Sequence, residues 1–357
     1  MKVLVFSHEF PPCLGGAGTI ANFLYQNFTD DKNFDVTVLT SKRSPSDSNN
    51  KIYTPKLSKK FWFFAYLPWL LINNKKFDII ILNDPAAIYT AGVILSKKQR
   101  KKSICIIHGV EKHLKPSNFF IKLINFPYFF KKSLKNSKKV VFVSNFIKKK
   151  YETEYNITPT NGIVIHGGVN KIFRTLKEKR LNTLKKSPLK FITVSRIVRG
   201  KGYDRMLAIF EILYTMGLSF EWHIVGDGNY RDSLEKNINN SIISDRVILL
   251  GKRPENKLPH LLSSYDLYIL LSELEESFGL SYLEASACGL IPIGYDSYGI
   301  KEAFNYIKTG YLLNNNDDNY ILAEKIYAIA KKTSLINNAC FRFDESFFHD
   351  IKKIIKD

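Results

Sequence analysis

Short apolar runs rich in β-branched residues alternate along the chain with stretches of helical character. In the first half these runs predict six strands: Lys2–Ser7, Asp35–Thr40, Asp78–Asn83, Ser103–His108, Lys139–Ser144 and Gly162–His166. In the second half they predict six more: Lys190–Ser195, Glu221–Gly226, Arg246–Gly251, Asp266–Leu271, Leu290–Gly294 and Tyr311–Leu313. Strands that alternate with helices are typical of parallel α/β sheets. The pattern therefore predicts an α/β chain with two doubly wound domains.

The predicted domain boundary lies near Gly167–Arg174. A chain of 357 residues is too long for one ordinary core and fits two domains of about 170 residues. We expect an N-terminal domain over 1–168 and a C-terminal domain over 171–340, the latter preceded by a lysine-rich stretch. The tail, 341–357, has the pattern of an amphipathic helix.

The positive charge of the chain is concentrated in its first half. The formal net charge is +20, and residues 1–170 hold 26 Lys and Arg against 10 Asp and Glu. Such an excess attracts phosphate-rich partners, either anionic lipid surfaces or nucleic acid. No nucleic-acid-binding motif is recognisable, so nucleic acid is not expected as a partner. The first half is expected to contact an anionic membrane surface.

Two segments combine aromatic residues with flanking lysines, as membrane interfaces favour. The first, Phe61–Ile72, has 12 residues, too few to cross a bilayer, which needs about 20. A membrane-interface segment and a buried core helix fit it equally well. The second, Asn118–Lys139, ends in paired lysines. The chain start has the pattern of a strand rather than a signal peptide, and four scattered cysteines indicate reduced thiols, so a cytoplasmic protein at the inner face of the cell membrane is expected.

Two carboxylates, Glu276 and Glu284, bracket a turn at Phe278-Gly279-Leu280 that opens a helix. Free N–H groups and the positive dipole end at a helix start suit an anionic ligand, whereas carboxylates accept hydrogen bonds from hydroxyl groups. A ligand with both phosphate and hydroxyl groups, such as a nucleotide sugar, fits this combination. The alternative is a capped amphipathic helix with two solvated glutamates.

Further candidate residues follow other predicted strands. Arg196 and Lys201 lie five apart on a glycine-broken loop, where both can approach one anion. Paired glycines let a backbone approach a ligand closely before a helix start, but the helix-start role alone remains open. The other candidates in such loops are Gly15, Gly16 and His108.

The run from Glu276 to Glu302 resembles the C-terminal signature of the family-4 retaining glycosyltransferases of the GT-B fold. The matching motifs are Glu-Ser-Phe-Gly at 276–279, Glu-Ala-Ser-Ala-Cys-Gly at 284–289 and Gly-Ile-Lys-Glu at 299–302. One departure is His-Gly-Gly-Val-Asn at 166–170, where family members carry Asn-Gly-Val-Asp.

The resemblance implies a nucleotide-sugar donor, most often linked to UDP, bound by the second domain, and an acceptor bound by the first. It also implies that the helix of 341–357 packs back on the N-terminal domain. It implies that Glu284 holds the ribose and Glu276 the donor sugar, while Arg196 and Lys201 stabilise the leaving diphosphate. His108 would position the sugar, and the backbone of 278–280 would support sugar and phosphate. Gly15, Gly16, Gly226, Asp227, Arg253 and Glu302 are the remaining implied donor-side residues.

No metal or other cofactor is expected, because no Asp-x-Asp pair is placed to hold one. The expected acceptor is a lipid-linked glycan, lipopolysaccharide or capsule, since the high Lys, Asn and Ile content is typical of a low-GC bacterium. Two alternatives remain: a GT-B nucleotide-sugar 2-epimerase, and a catalytically inactive glycosyltransferase-like binding subunit. The basic first domain would be unexplained in an epimerase.

Overall fold

The computed structural model describes residues 1–11, 16–41, 51–55, 62–115, 119–176, 188–332 and 343–356. The chain divides into two compact units. Unit 1 comprises Met1–His166 and Phe347–Asp357, and unit 2 comprises Gly167–Ser346. Each unit is built on one sheet of parallel strands, which confirms the predicted α/β class.

Unit 1 contains a seven-stranded sheet in the order β3-β2-β1-β4-β5-β6-β7. Its strands are β1 (Lys2–Phe6), β2 (Asp35–Leu39), β3 (Ile52–Tyr53), β4 (Ile79–Leu82), β5 (Ser103–Ile107), β6 (Lys139–Phe142) and β7 (Gly162–Val164). The central strands are almost wholly buried, as expected for strands covered on both faces. Six match the predicted strands, and β3 was not predicted.

The helices of unit 1 cover both faces of this sheet. They are α1 (Gly16–Asp30), α2 (Trp62–Asn73), α3 (Pro85–Ile94), α4 (Lys97–Arg100), α5 (Phe119–Leu123), α6 (Phe126–Asn136) and α7 (Asn145–Tyr155). The β1–α1–β2 and β4–α3–β5 crossovers run in opposite directions along the sheet, so right-handed connections place α1 and α3 on opposite faces. Helix α3 packs between α2 and α6.

The last helix of the chain, α14 (Asp344–Lys356), completes the core of unit 1. Phe347 and Ile351 are fully buried, and the Phe347 ring lies 6.4 Å from the ring of Phe23 on α1. Lys352 donates a hydrogen bond of 2.5 Å to Asp31, which lowers the pKa of that carboxyl to about 2. The predicted tail helix is therefore present, and its apolar face belongs to unit 1.

Unit 2 contains a six-stranded sheet in the order β10-β9-β8-β11-β12-β13. Its strands are β8 (Leu189–Val194), β9 (Phe220–Val225), β10 (Val247–Gly251), β11 (Leu267–Ile269), β12 (Ile291–Tyr295) and β13 (Tyr311–Leu313). Its helices are α8 (Tyr203–Thr215), α9 (Arg231–Asn239), α10 (Leu258–Leu262), α11 (Leu280–Ala287), α12 (Ile300–Phe304) and α13 (Asn319–Lys332). All six strands were predicted.

Helix α2, the first predicted membrane-interface segment, has a buried and an exposed face. Tyr66 and Leu70 are buried in the core, whereas Leu71 and Ile72 are 61% and 72% exposed. Part of the segment is therefore a core helix, and its contact with a membrane stays a prediction. Among the described residues, no helix is long and apolar enough to span a membrane.

Candidate functional site

The predicted site residues that the structure describes follow the carboxyl ends of strands or begin the helices after them. In unit 1 the strand order reverses between β1 and β4, and in unit 2 between β8 and β11. Ligands of doubly wound sheets bind outside the carboxyl ends of the strands at such switch points. Gly15 lies outside the described residues.

The loop after β8 holds the predicted cations. Lys201 is buried with 9% exposure, and its ammonium group is paired with the carboxylate of Glu276. Arg196 and Arg199 are exposed, and the Arg199 guanidinium lies 5.3 Å from the ring of Tyr230. The electrostatic attraction between a lysine and a glutamate is stronger when the pair has little exposure to water than when both side chains are solvated. The structure therefore brings Lys201 and Glu276 together and leaves Arg196 open to solvent.

The Gly-Asp-Gly turn after β9 packs directly against this cation loop. A Cβ atom on Gly226 would lie 1.9 Å from the Ser195 carbonyl oxygen, and one on Gly228 would lie 2.1 Å from that of Ile197. The Ile197 N–H donates to the Asp227 carbonyl at 2.9 Å. The glycines are required by this close approach, so the turn shapes the cation loop through its backbone.

The other side of the cation loop packs against the segment after β11. Gly202 has φ of 77°, and a Cβ there would lie 1.9 Å from the Leu271 carbonyl oxygen. The Glu273 N–H donates to the Gly200 carbonyl at 2.8 Å. Glycines with positive φ on both sides of Lys201 therefore fix the path of the backbone that carries its side chain.

The Glu276 segment is held in turn by the loop after β12. The Gly299 N–H donates to the Glu276 carbonyl at 3.0 Å. A Cβ on Gly299 would lie 2.1 Å from the Ser277 carbonyl oxygen, so this contact requires glycine. Glu302, on α12, is partly exposed three residues further on.

Helix α11 begins where the sequence predicts it. Gly279 precedes the helix with φ of 92°, and Phe278 before it is buried. The first-turn N–H groups of α11 form a positive helix end next to the Glu276 segment. Leu280 packs against Gly167, where an added Cβ would lie 3.2 Å from the leucine side chain. Phe278 therefore has a packing role, and its part in any ligand contact falls to the backbone.

Glu284 lies one turn into α11 and remains partly accessible. Burial, together with the smaller effect of the nearby Glu255 carboxylate, raises the pKa of its carboxyl to about 7. Burial also raises the pKa of Glu255. Sequence reasoning did not single out Glu255, which follows the exposed Arg253 by two residues. A partly accessible carboxyl with few hydrating water molecules is well suited to accept hydrogen bonds from ligand hydroxyl groups.

In unit 1, His108 follows β5 and contacts the residue that follows β4. Its Nε2 atom lies 3.0 Å from Oδ1 of Asn83. Burial lowers the pKa of His108 to about 4, so the ring is neutral near pH 7. Asn83 was not among the predicted site residues, although Asn-Asp-Pro directly after an apolar strand signals a polar strand end followed by a helix cap.

Other predicted residues of unit 1 take local roles. Gly16 begins α1, is exposed, and has no atom within 4 Å of an added Cβ. The Ser144 hydroxyl caps α7 by accepting from the Ile147 N–H at 3.1 Å. Among the described residues, no group of three His, Cys, Asp or Glu side chains is arranged to hold a metal ion.

Two family models match the chain in succession. The model described as Glycosyltransferase Family 4 matches residues 14–171, and the model described as Glycosyl transferases group 1 matches residues 175–339. The chain belongs to the family-4 glycosyltransferases. The fold and the residue motifs of the sequence agree with this assignment, and the boundary between the two models falls beside the boundary of the two units.

The chain is similar to curated relatives and to solved structures. N-acetyl-alpha-D-glucosaminyl L-malate synthase of Bacillus anthracis is 37% identical over 36% of this chain and 33% of its own length. The chain spans 33% to 47% of the lengths of the first curated relatives that it matches. HepE of Anabaena, solved in complex with UDP and glucose, has a TM-score of 0.73 at 18% identity and full coverage of both chains.

WaaG, a glycosyltransferase involved in lipopolysaccharide biosynthesis, has a TM-score of 0.66 at 14% identity, covering 99% of this chain and 95% of its own. At these identities the two solved structures show the fold alone, and that fold is GT-B, as the sequence predicts.

Proposed function

We propose that this chain is a retaining glycosyltransferase that moves a sugar from a UDP-sugar to a lipid-linked glycan, lipopolysaccharide or capsule acceptor. The observation that carries the proposal is the buried pair of Lys201 and Glu276 beside the first turn of α11. One cation for phosphate, one carboxylate for hydroxyl groups and a positive helix end together suit a nucleotide sugar. The UDP and glucose in HepE and the pathway of WaaG support the donor and acceptor classes.

In the proposed reaction, the bond between the sugar anomeric carbon and the diphosphate oxygen breaks, and a bond to the acceptor oxygen forms on the same face. The acceptor proton passes to an oxygen of the leaving diphosphate. Lys201 and Arg196 stabilise the negative charge that develops on the diphosphate, as preorganised cations do in low-dielectric sites. Glu276 exchanges its contact with Lys201 for hydroxyl groups of the sugar. Glu284 accepts hydrogen bonds from the ribose.

We propose that these cations serve in place of a metal ion, so that the reaction needs no cofactor. The exposed guanidinium of Arg196 and the inward ammonium of Lys201 lie on one glycine-rich loop, in reach of one anion. Charge neutralisation by fixed cations and by a metal ion are alternative ways to stabilise a leaving diphosphate. A chelator therefore separates the two mechanisms.

The test is donor hydrolysis and transfer with a panel of UDP-sugars, measured with and without EDTA. We expect activity in EDTA, and a loss of about 10²–10³ in turnover for Lys201→Ala and Glu276→Gln. Lys325→Ala is the matched control, because Lys325 forms a 2.5 Å ion pair with Asp317 on the same unit away from the site. Near-normal turnover in both site variants, or a loss in EDTA that Mg²⁺ restores, would contradict the proposal.

We also propose that unit 1 docks on an anionic membrane through its exposed apolar residues. Leu71 and Ile72 end α2, and Phe119 and Leu123 on α5 are 79% and 68% exposed. Tyr128, near the start of α6, is 56% exposed. These helices cover the same face of the sheet, beside exposed lysines. The structure also corrects the extent of this surface, because Phe126 and Phe130 of the second segment are core residues.

A further inference from the structure

A chain of hydrogen-bonded side chains in unit 1 ends on the ring of His108. Its centre is Asn83, which is fully buried at the end of β4. The Asn83 amide nitrogen donates to the Ala17 carbonyl at 2.8 Å and to the Ser7 hydroxyl at 3.0 Å. The Asn83 amide oxygen lies 3.0 Å from Nε2 of His108. One side chain thus joins the ends of β1, β4 and β5 to the first turn of α1.

These contacts determine which way the Asn83 amide points. A carbonyl oxygen only accepts hydrogen bonds, so the amide nitrogen must face Ala17. The amide oxygen consequently faces His108. Because that oxygen also only accepts, the proton of the neutral imidazole must lie on Nε2. Nδ1 then keeps its lone pair and is a hydrogen-bond acceptor.

The network is anchored at its other end by Asp84. Its carboxylate is buried and caps α3 by accepting from the Ala87 N–H at 2.8 Å. The Ser7 hydroxyl lies 3.1 Å from this carboxylate and 2.7 Å from the Glu9 carbonyl, and its proton is shared between these two acceptors. The backbone N–H groups of His8 and Glu9 donate to the same carboxylate. Ser7 is thereby held in place to accept from Asn83, which fixes the amide from the side opposite His108.

We propose that Asn83 is a positioning residue that holds His108 as the Nε2–H tautomer, so that Nδ1 accepts a hydrogen bond from a hydroxyl group of the sugar substrate. The substrate class in this statement rests on the proposed function. The tautomer rests on the contacts of Asn83 alone. With the opposite tautomer the ring would present a donor, and the hydroxyl would have to accept.

A buried asparagine can also serve packing alone, and unit 1 provides a matched example. Asn74 is buried with 7% exposure, and its amide nitrogen donates to the carbonyls of Leu70 and Leu71 at 2.5 and 3.2 Å. Asn74→Ala removes a buried amide of the same kind without contact to His108. It is therefore the control for loss of stability in the Asn83→Ala variant.

The experiment uses the full chain labelled with ¹⁵N-histidine, and nitrogen chemical shifts report the protonation of each ring atom. Loss of one signal pair in His108→Gln assigns that residue among the 7 histidines. In the wild type we expect a neutral Nε2–H ring through pH 6–8, since the pKa of His108 is about 4. Asn83→Ala should give a mixture of tautomers, whereas Asn74→Ala should leave the signals unchanged.

A second variant covers the case in which Asn83→Ala fails to fold. Asn83→Asp keeps an acceptor for Nε2–H and adds a negative charge, so the tautomer should persist while the pKa of His108 rises. Turnover of the donor should fall by about tenfold in Asn83→Ala and stay normal in Asn74→Ala, as expected for one lost hydrogen bond near 1.4 kcal/mol.

An Nδ1–H ring in the wild type would overturn the proposal. So would an unchanged tautomer or unchanged turnover in Asn83→Ala. A thermal-shift measurement with UDP reads the donor site of unit 2 independently. If UDP gives the wild type no stabilisation, the proposed function is wrong, while the tautomer result still decides the role of Asn83.

Discussion

Among single residues, Glu284, the proposed ribose contact, lowers the stability of the protein at neutral and alkaline pH. Its carboxyl pKa rises from 4.5 to about 7 because burial disfavours the charged form. The folded state therefore prefers the protonated acid, and the free energy of unfolding falls as the pH rises from 4.5 towards 7. Above pH 7 the penalty is constant, up to about 3 kcal/mol for a shift of this size.

We predict that Glu284→Gln raises the melting temperature of the unliganded protein at pH 8 and leaves it nearly unchanged at pH 4.5. The same variant should lose the stabilisation that UDP gives to the wild type, since an amide accepts ribose hydroxyls less well than a carboxylate. Thermal unfolding at both pH values, with and without UDP, measures this. Glu324→Gln, at an exposed position of α13, is the control. An effect of Glu284→Gln that does not change with pH would contradict the pKa argument.

Among the structural elements, the loop after β8 that carries Arg196 and Lys201 is held in position by close backbone contacts at glycines. Gly228 lies against the Ile197 carbonyl, and Gly202 lies against the Leu271 carbonyl. At both places two backbone segments are in direct contact, with no side chain between them. Such contacts leave little room for the loop to move. The position of Lys201 is thus set by the turns after β9 and β11 as much as by its own segment.

We predict that Gly228→Ala displaces the cation loop, lowers stability by about 1–3 kcal/mol and weakens UDP binding. Calorimetric titration with UDP and thermal unfolding measure the two effects. Gly217→Ala is the control, because Gly217 has φ of 80° but no atom within 4 Å of an added Cβ. It should lose about 1 kcal/mol of stability through its backbone alone and keep UDP affinity. Equal loss of UDP affinity in both variants would contradict a specific role for the turn.

The sequence predicted the long elements and the charged site residues better than the contacts between them. Twelve strands follow from their apolar runs, but β3 has two residues, Ile52 and Tyr53, too few to show a pattern. The turn at Phe278 to Leu280 was predicted because glycine before a helix has a distinct signature. The Lys201–Glu276 pair and the Asn83–His108 contact join residues 75 and 25 positions apart, which no local pattern reveals.

At the scale of the whole molecule, unit 1 carries both the excess positive charge and exposed apolar residues on α2, α5 and α6. Some lysines of the second aromatic segment, Asn118–Lys139, form hydrogen bonds within unit 1. Lys131 donates to the Tyr155 carbonyl at 3.0 Å, and Lys138 donates to the Ile355 carbonyl on α14 at 3.0 Å. Changing these two would also remove hydrogen bonds within unit 1. A test of membrane docking must therefore use other lysines of unit 1.

We predict that the protein co-sediments with anionic vesicles at low salt, and that Lys75→Glu, Lys122→Glu and Lys135→Glu together reduce binding. These three lysines are exposed, and each lysine near an anionic surface contributes about 1 kcal/mol of attraction. Added salt should release the protein. The same change at the exposed Lys236, Lys308 and Lys332 of unit 2 alters net charge equally and should have less effect. Wild-type protein that stays in the supernatant would favour a soluble acceptor.

The return of α14 to unit 1 has a consequence for synthesis on the ribosome. Phe347, Ile351, Ile354 and Ile355 fill the core of a unit whose other residues are translated first. Until α14 has been translated and has left the exit tunnel, that core lacks one of its covering helices. Unit 2, encoded between the two parts, is complete earlier. Residues 1–166 are thus translated before unit 2 but complete their core after it, and until α14 arrives their uncovered apolar surface is open to chaperones.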